Sequence, residues 1–575
     1  MYYLCYVMAS AKHSWFDLIP QARRRRLPRV LLSALCSAVV DLVGIAALVS
    51  VLLLVLDENL IANNPTVAHI YTWLGFGSEG AFIGAVCLVV LLLIALKGVA
   101  GLALNQYRGR FMMELFADMS QAMYQNYLSR GLLFVRSHHT TTLVNNVNAV
   151  CHRFAHGVVS TLMMILTEAI VVVVLLVALF IYNPLVVALI VAVFVPVALV
   201  YSRIIRRRMA ENGREENRLQ VSQNKTMFEA LRGYADIEIA GAKPYITDRF
   251  MRGISQLRHY SLKAMLMRGA SSYVIEFALV LGVVAVIVIG LASGHTVGSL
   301  KVFLGVFAVA AYRIIPSISR IASAWTEYKR NVYVVEVLAD ELSHPVEPTS
   351  LTQEKLPFDN SIELDNITFG YAEGENVIEN LSLTIRKGEK VGFRGASGKG
   401  KTTLFNIVAG LFAPQEGSVK VDGVAIEGAE TRRKWQNNIA YVSQDLYIPD
   451  LSIAENVAFG VAPEEIDRQR VAEVVERAQL GELVAQLPDG IDTITGEGGC
   501  RLSGGQRQRI GIARALYREA SVLMLDEATS SLDEATEREI VEAVEQLSRE
   551  NATLTILFIS HNPKTLSFCD RIVEL

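Results

Sequence analysis

The stretch Gly395-Ala396-Ser397-Gly398-Lys399-Gly400-Lys401-Thr402 puts three requirements of phosphate chemistry into one short loop. Glycines let backbone N–H groups wrap phosphate oxygens, Lys401 carries a cation to the β and γ oxygens, and Thr402 offers a hydroxyl to magnesium. The loop follows an apolar run at 390–393 and precedes an apolar helical stretch beginning at Thr403, which is the context that G-x-x-x-x-G-K-T requires. Further along, the apolar run 521–525 ends in Asp526-Glu527, as a buried parallel strand carrying acids at its tip should. Asp526 suits holding magnesium through water, and Glu527 suits polarising a water that attacks a phosphate.

Such groups need a rigid platform, and the sequence from 361 onward supplies one. Residues 362–369 and 381–385 read as antiparallel strands, and 571–575 reads as another strand. Ahead of this region, 342–360 holds Pro345, Pro348 and Pro357 among polar residues and reads as a linker.

Upstream of the linker the composition changes. The chain of 575 residues is 52% hydrophobic but 19% charged, as expected of a protein that is part membrane-embedded and part water-facing. Six stretches approach the roughly 20 apolar residues a span needs: 30–56, 81–104, 158–182, 185–201, 271–292 and 302–318. Asn183 and Pro184 separate the third from the fourth by a tight turn. Arginines 23–26 precede the first span and Arg203, Arg206, Arg207 and Arg208 follow the fourth, whereas 57–80 has no Lys or Arg. This asymmetry places both termini in the cytoplasm. The connections 105–157 and 202–270 read as helical, so the spans are expected to continue as cytoplasmic rods. Residues 1–29 read as a surface helix, and 65–74 as an external amphipathic helix lying either at the interface or on the protein. The six cysteines fit neither metal-ligand nor disulfide spacing. A net charge of −3 argues against a nucleic-acid partner.

Four cations lie in or beside spans: Lys97, Arg268, Arg313 and Arg320. A cation at mid-membrane costs about 3 kcal/mol, so each needs compensation. Arg313 and Arg320 share a helix face about 10 Å apart, within reach of one elongated anion. One reading is a basic cavity for a phosphate-bearing lipid headgroup. The other is snorkelling, or pairing with Asp41, Glu168 or Glu276.

One more stretch identifies a family. Leu502-Ser503-Gly504-Gly505-Gln506 followed by Arg507-Gln508-Arg509 matches the LSGGQ signature, and the region 361–575 resembles the nucleotide-binding domain of ABC transporters. The resemblance implies a multidomain membrane protein: a six-helix all-α transmembrane domain (30–341) joined to an α/β P-loop ATPase with antiparallel-β and helical subdomains. It implies ATP and Mg2+ as cofactors, with Ser503, Gly504, Gly505 and Gln506 reaching ATP held by an opposite subunit. Tyr371 resembles the aromatic that stacks on adenine, and Gln444 the residue linking magnesium to the membrane domain. Asp533 resembles the D-loop acid, and His561 the switch histidine at the γ-phosphate. A split site implies a dimer, most simply a homodimer. Segments 136–146 and 241–250 fall where the family places its coupling helices. Over its length the chain resembles type IV exporters of the inner or plasma membrane. The loop helix, the four basic residues and the stretch 311–317 look most like flippases of polyprenyl-pyrophosphate-linked oligosaccharides. A general lipid or drug exporter and an ATP-gated channel stand as alternatives.

Overall fold

The computed structural model describes residues 14–56, 65–73, 75–182, 184–292, 297–344, 350, 352–372, 375–396, 398–528 and 534–575. Two compact units emerge. One contains the residues before 129 and those from 137 to 345, and the other contains Ser129–Arg136 together with 346–575.

Helices make up the first unit. α1 is Leu27–Leu56, α2 Pro65–Trp73 and α3 Glu79–Ser129; α4, Gly131–Ser137, carries the stretch that groups with the second unit. α5 is Thr140–Ile181, α6 Pro184–Arg232, α7 Lys243–Ala292, α8 Val297–Asn331 and α9 Tyr333–Leu342. Several of these greatly exceed the roughly 20 residues that cross a bilayer, as the expected rods require; α3 has 51 residues, α6 49 and α7 50. Among the described residues, α3, α5 and the Lys243–Ala285 part of α7 are long and apolar enough to cross a membrane. Their outward faces are rich in exposed Leu, Val and Ile, which in water would be a liability and in lipid is the favoured state.

α6, α7 and α8 pack mutually, and α5 packs on α8 and α1. Small residues permit the closest approaches. A Cβ on Gly213 of α6 would stand 1.8 Å from the Arg330 carbonyl oxygen of α8, and one on Gly157 of α5 would stand 2.6 Å from the Asn331 amide. Below the spans, charged pairs replace apolar contact. Arg330 donates to both oxygens of Glu216 at 2.6 and 2.9 Å, and Ser261 of α7 donates to the same carboxylate at 3.0 Å. Arg153 of α5 donates to Gln220 at 2.7 Å and to the Tyr333 hydroxyl of α9. Burial alone would raise the Glu216 carboxyl, but hydrogen bonds and charge from Arg330 outweigh it and hold the group below its ordinary range. Near the N-terminus, Arg23 pairs with Asp118 and Glu114 of α3.

The second unit is built on two sheets. β1 (Ser361–Ala372), β2 (Glu375–Arg386), β4 (Glu416–Val421) and β5 (Val424–Ala425) form an antiparallel sheet in the order β2-β1-β4-β5. β3 (Lys390–Arg394), β6 (Ile439–Val442), β7 (Val522–Asp526), β8 (Thr555–Ile559) and β9 (Arg571–Glu574) form a parallel sheet in the order β6-β7-β8-β3-β9. Every residue of β7 and β8 is buried, which explains their unbroken apolar sequence. One core packs the antiparallel sheet against the parallel one around Trp435, whose indole donates to the Val408 carbonyl at 2.7 Å. A second core joins the other face to helices including α11 (Arg468–Arg477) and α12 (Gly504–Tyr517).

One expectation shifts. Leu356 and Phe358, inside the stretch read as linker, are buried in the first core, and the Asn437 side chain donates to the Thr352 and Glu354 carbonyls at 2.9 Å. The stretch 129–136 groups with the second unit and meets 136–146, where the family resemblance places a coupling helix, only at Arg136. Leu132 packs against the core around Trp435, whereas the mostly polar 137–146 runs from the end of α4 into the start of α5.

Candidate functional site

The parallel sheet delivers the chemistry to one edge. β3 ends at Arg394, and the loop that follows turns through Gly398 at φ +85° and Gly400 at φ +86° before α10 (Lys401–Val408). A side chain at Gly400 would be strained and would also meet the Val377 methyl at 2.9 Å, so the turn needs glycine there. A Cβ on Gly398 would meet nothing within 4 Å, which leaves open space over the loop. Gly395 abuts the Leu575 carbonyl. Ser397 lies outside the described residues.

Lys401 is 5% exposed, and a buried ammonium must find acceptors. Its Nζ donates to the Gly395 and Ala396 carbonyls at 2.9 and 3.2 Å, inside its own loop, and lies 4.0 Å from Glu527 Oε1. Thr402 donates to Asp526 Oδ1 at 3.1 Å. Burial pushes the Asp526 carboxyl up, and hydrogen bonds from Tyr441 and Thr402 oppose that rise. Thr403, next in α10, shares a 2.8 Å hydrogen bond with the Tyr371 hydroxyl. The Tyr371 ring is 48% exposed and stands edge-on to Phe369 and Phe412.

At the tip of β7, Glu527 adopts φ +49°, a left-handed conformation that costs a non-glycine residue about 1–2 kcal/mol. Its N–H donates to the Ile559 carbonyl at 3.1 Å, and its Oε1 stands 2.9 Å from His561 Nε2. A carboxylate only accepts, so this contact requires the imidazole to carry its proton on Nε2. β8 carries His561 just beyond its end, and the β7–β8 pairing sets Asp526 level with Ile559. Lys401, Thr402, Asp526, Glu527 and His561 therefore form one connected set. Gln444 lies in the loop after β6 with an exposed side chain, and its carbonyl accepts from Gln508 at 3.2 Å.

The signature residues make contacts of their own. Ser503 caps α12: its Oγ accepts from the Gln506 N–H at 3.3 Å while Gln506 Oε1 accepts from the Ser503 N–H at 2.8 Å. A Cβ on Gly505 would strike the Thr536 methyl at 2.4 Å, so α12 and α13 (Glu534–Glu550) approach closely there. Gly504 opens the helix. Asp533 lies outside the described residues.

Hydroxyl and carboxylate oxygens of Thr402 and Asp526 are hard donors brought to hydrogen-bond distance, a set that fits magnesium. Those two, with Gln444, would hold the ion, which would supply charge neutralisation to the phosphates. Sequence reasoning passed over Tyr441, which donates to Asp526 Oδ2 at 2.8 Å. The sequence carries no signal for it, because β6 becomes the neighbour of β7 only in the folded sheet.

In the membrane unit, three of the four expected cations have described side chains, and each has its own neighbours. Arg320 pairs with Glu168 at 2.6 and 3.1 Å, and Arg268 pairs with Glu327 at 3.3 Å. Lys97 lies along α1, its Nζ 3.0 Å from where a Cβ on Gly44 would stand. The Arg313 side chain lies outside the described residues. Separately, α6, α7 and α8 line a half-open apolar cleft of about 320 Å³ bordered by Phe194, Tyr201, Ser271, Ile275 and Trp325.

Known proteins support this architecture. The family described as "ABC transporter" matches residues 378–530, and that described as "ABC transporter transmembrane region" matches 30–310. The chain is 31% identical over 517 residues to the ATP-dependent lipid A-core flippase of Burkholderia pseudomallei (strain 1710b), covering 87% of this chain and 84% of the relative. It is 32% identical over 542 residues to the protein of the same name from Cupriavidus pinatubonensis (strain JMP 134 / LMG 1197), covering 92% and 89%. In fold it is similar to a bacterial Atm1-family ABC exporter solved with ATP bound, with a TM-score of 0.76 at 21% identity over 96% of this chain and 93% of that one. With its helical and its phosphate-binding unit both matched, this chain belongs to the ABC transporters that fuse a transmembrane region and an ATPase in one polypeptide.

Proposed function

We propose that this chain acts as a homodimer that uses ATP hydrolysis to move a phosphate-bearing glycolipid from the inner to the outer leaflet of a cytoplasmic membrane, with both termini and the ATPase unit in the cytoplasm. The observation that carries the reading is likeness across 87–92% of the chain, membrane region included, to relatives named for flipping lipid A-core. In each dimer, Ser503, Gly504, Gly505 and Gln506 of one subunit face ATP held by Gly395–Thr403 of the other, with Tyr371 on the adenine and Asp533 at the interface. Glu527 polarises the attacking water, and His561 holds both that carboxylate and the γ-phosphate. Thr402, Asp526 and Gln444 carry magnesium.

Two glycolipid classes fit. A lipid A-core-like cargo follows from the names of the relatives. A polyprenyl-pyrophosphate-linked oligosaccharide follows from Lys97, Arg268, Arg313 and Arg320, whose charges suit a diphosphate. Arg320 and Arg268 already hold carboxylates, so cargo phosphate would take the place of Glu168 and Glu327.

The test is ATP-dependent flipping in liposomes, with a fluorescent lipid-linked glycan and a fluorescent lipid A-core offered separately. Uptake of either with ATP supports the reading, and its loss in Glu527→Gln separates a pump from an ATP-gated channel, whose passive flux would persist. Lys97→Ala with Arg313→Ala should abolish transport and remove any lipid-stimulated increment of ATP hydrolysis. Movement of neither lipid rejects the proposal.

A further inference from the structure

We propose that Tyr441 is a positioning residue for ATP hydrolysis: its hydroxyl locks the Asp526 carboxylate in the orientation that faces Thr402 and the metal. Strand register puts it there. β6 and β7 run parallel with Tyr441 level with Met524, and alternation gives Met524 and Asp526 the same face. The phenol thus lies on the side of the sheet that carries the metal-holding acid, one step back from the tip, where its length lets the hydroxyl reach forward.

The contacts divide the carboxylate between two donors. Tyr441 donates to Oδ2 at 2.8 Å and Thr402 to Oδ1 at 3.1 Å, with Asp526 only 4% exposed. A carboxylate held at one oxygen retains freedom about its terminal torsion, whereas donors on both oxygens fix the plane. Without Tyr441, Oδ2 would be a buried charged atom short of a partner, the costly case for a polar group. The phenol is itself fixed. Its ring packs against the core around Trp435, 6.5 Å between centroids from Phe405, which lies one turn into α10 beyond Lys401 and Thr402. Tyr441 therefore ties the helix that follows the phosphate loop to the acid at the tip of the neighbouring strand.

The experiment uses the full chain in detergent and Tyr441→Phe, which keeps the ring and removes only the hydroxyl. Binding of a fluorescent, non-hydrolysable ATP analogue is measured in EDTA and then as a function of Mg2+; in parallel, Mn2+ bound with the analogue is observed by electron paramagnetic resonance. Metal-free affinity is expected to stay within about twofold, because Asp526 takes no part in it. The Mg2+ concentration for half-saturation is expected to rise about tenfold, the effect of losing a hydrogen bond to a charged group. The Mn2+ spectrum is expected to differ from that of the parent protein. An unchanged Mg2+ requirement overturns the proposal. Equal weakening with and without metal also overturns it, since that would reveal a general packing role.

Discussion

Glu527 occupies a backbone conformation that its residue type disfavours, and its carboxylate nevertheless has a fixed partner in His561. Strain of this kind persists where the surroundings over-determine a side chain, as at a reacting centre. Replacing Glu527 with Gln keeps shape and backbone but removes the carboxylate proposed to polarise the attacking water, so steady-state ATP hydrolysis should fall at least about 100-fold while binding of Mg-ATP is retained. A phosphate-release assay paired with a nucleotide-binding measurement checks both halves. Lys401→Ala should act differently, weakening nucleotide binding itself, because the buried Lys401 ammonium is the charge proposed to reach the β and γ oxygens. The residues in these two predictions were legible in the sequence because their chemistry sits in contiguous motifs. Tyr441 was not, since its role arises from register between strands that are distant in sequence, and no spacing rule reports which oxygen a hydroxyl reaches.

Between helices, the Glu216–Arg330 pair joins α6 to α8 and, through Ser261, to α7. Glu216→Ala would leave a largely buried guanidinium with Glu327 as its remaining ion-pair partner among the described residues and should destabilise the rods by about 3 kcal/mol. The double change Glu216→Leu with Arg330→Met removes both charges and should recover much of that loss; thermal unfolding in detergent compares the three proteins. Acid should reproduce the single change. Glu216 is held below its ordinary value of 4.5, so its contribution is complete above that pH and disappears as pH falls through the lower folded value. Hydrogen exchange of α6 amides should therefore accelerate below about pH 4.5 in the parent protein and much less so in Glu216→Gln. Hydrophobic runs revealed the spans, and the helical pattern of the connections 105–157 and 202–270 their extension, because both are local properties. They did not reveal these pairs, which depend on how the helices rotate against one another. The position of Leu132 was missed for a related reason: a single apolar residue in a short connection gives no periodic signal.

At the level of the whole molecule, the phosphate-loop residues and the LSGGQ residues make separate contacts in one chain, as composite sites completed by a second copy would require. Lys401→Ala and Ser503→Arg should each abolish hydrolysis when pure. Mixed subunits would include heterodimers with both lesions in one site and an intact second site, restoring up to about a quarter of the parent rate if pairing is random and the sites act independently. Co-expression with two affinity tags followed by a phosphate-release assay tests this; failure of any mixture to recover activity would argue that each chain works alone. The stretch 129–136 carries a separate consequence. Because it belongs to the ATPase unit while its flanks belong to the membrane unit, the polypeptide crosses between units more than once. Nicking the backbone near residue 350 with a protease should therefore not release a free enzyme. The two fragments should elute together from a sizing column, clasped through Leu132, and changing Leu132 to Asp should let them drift apart.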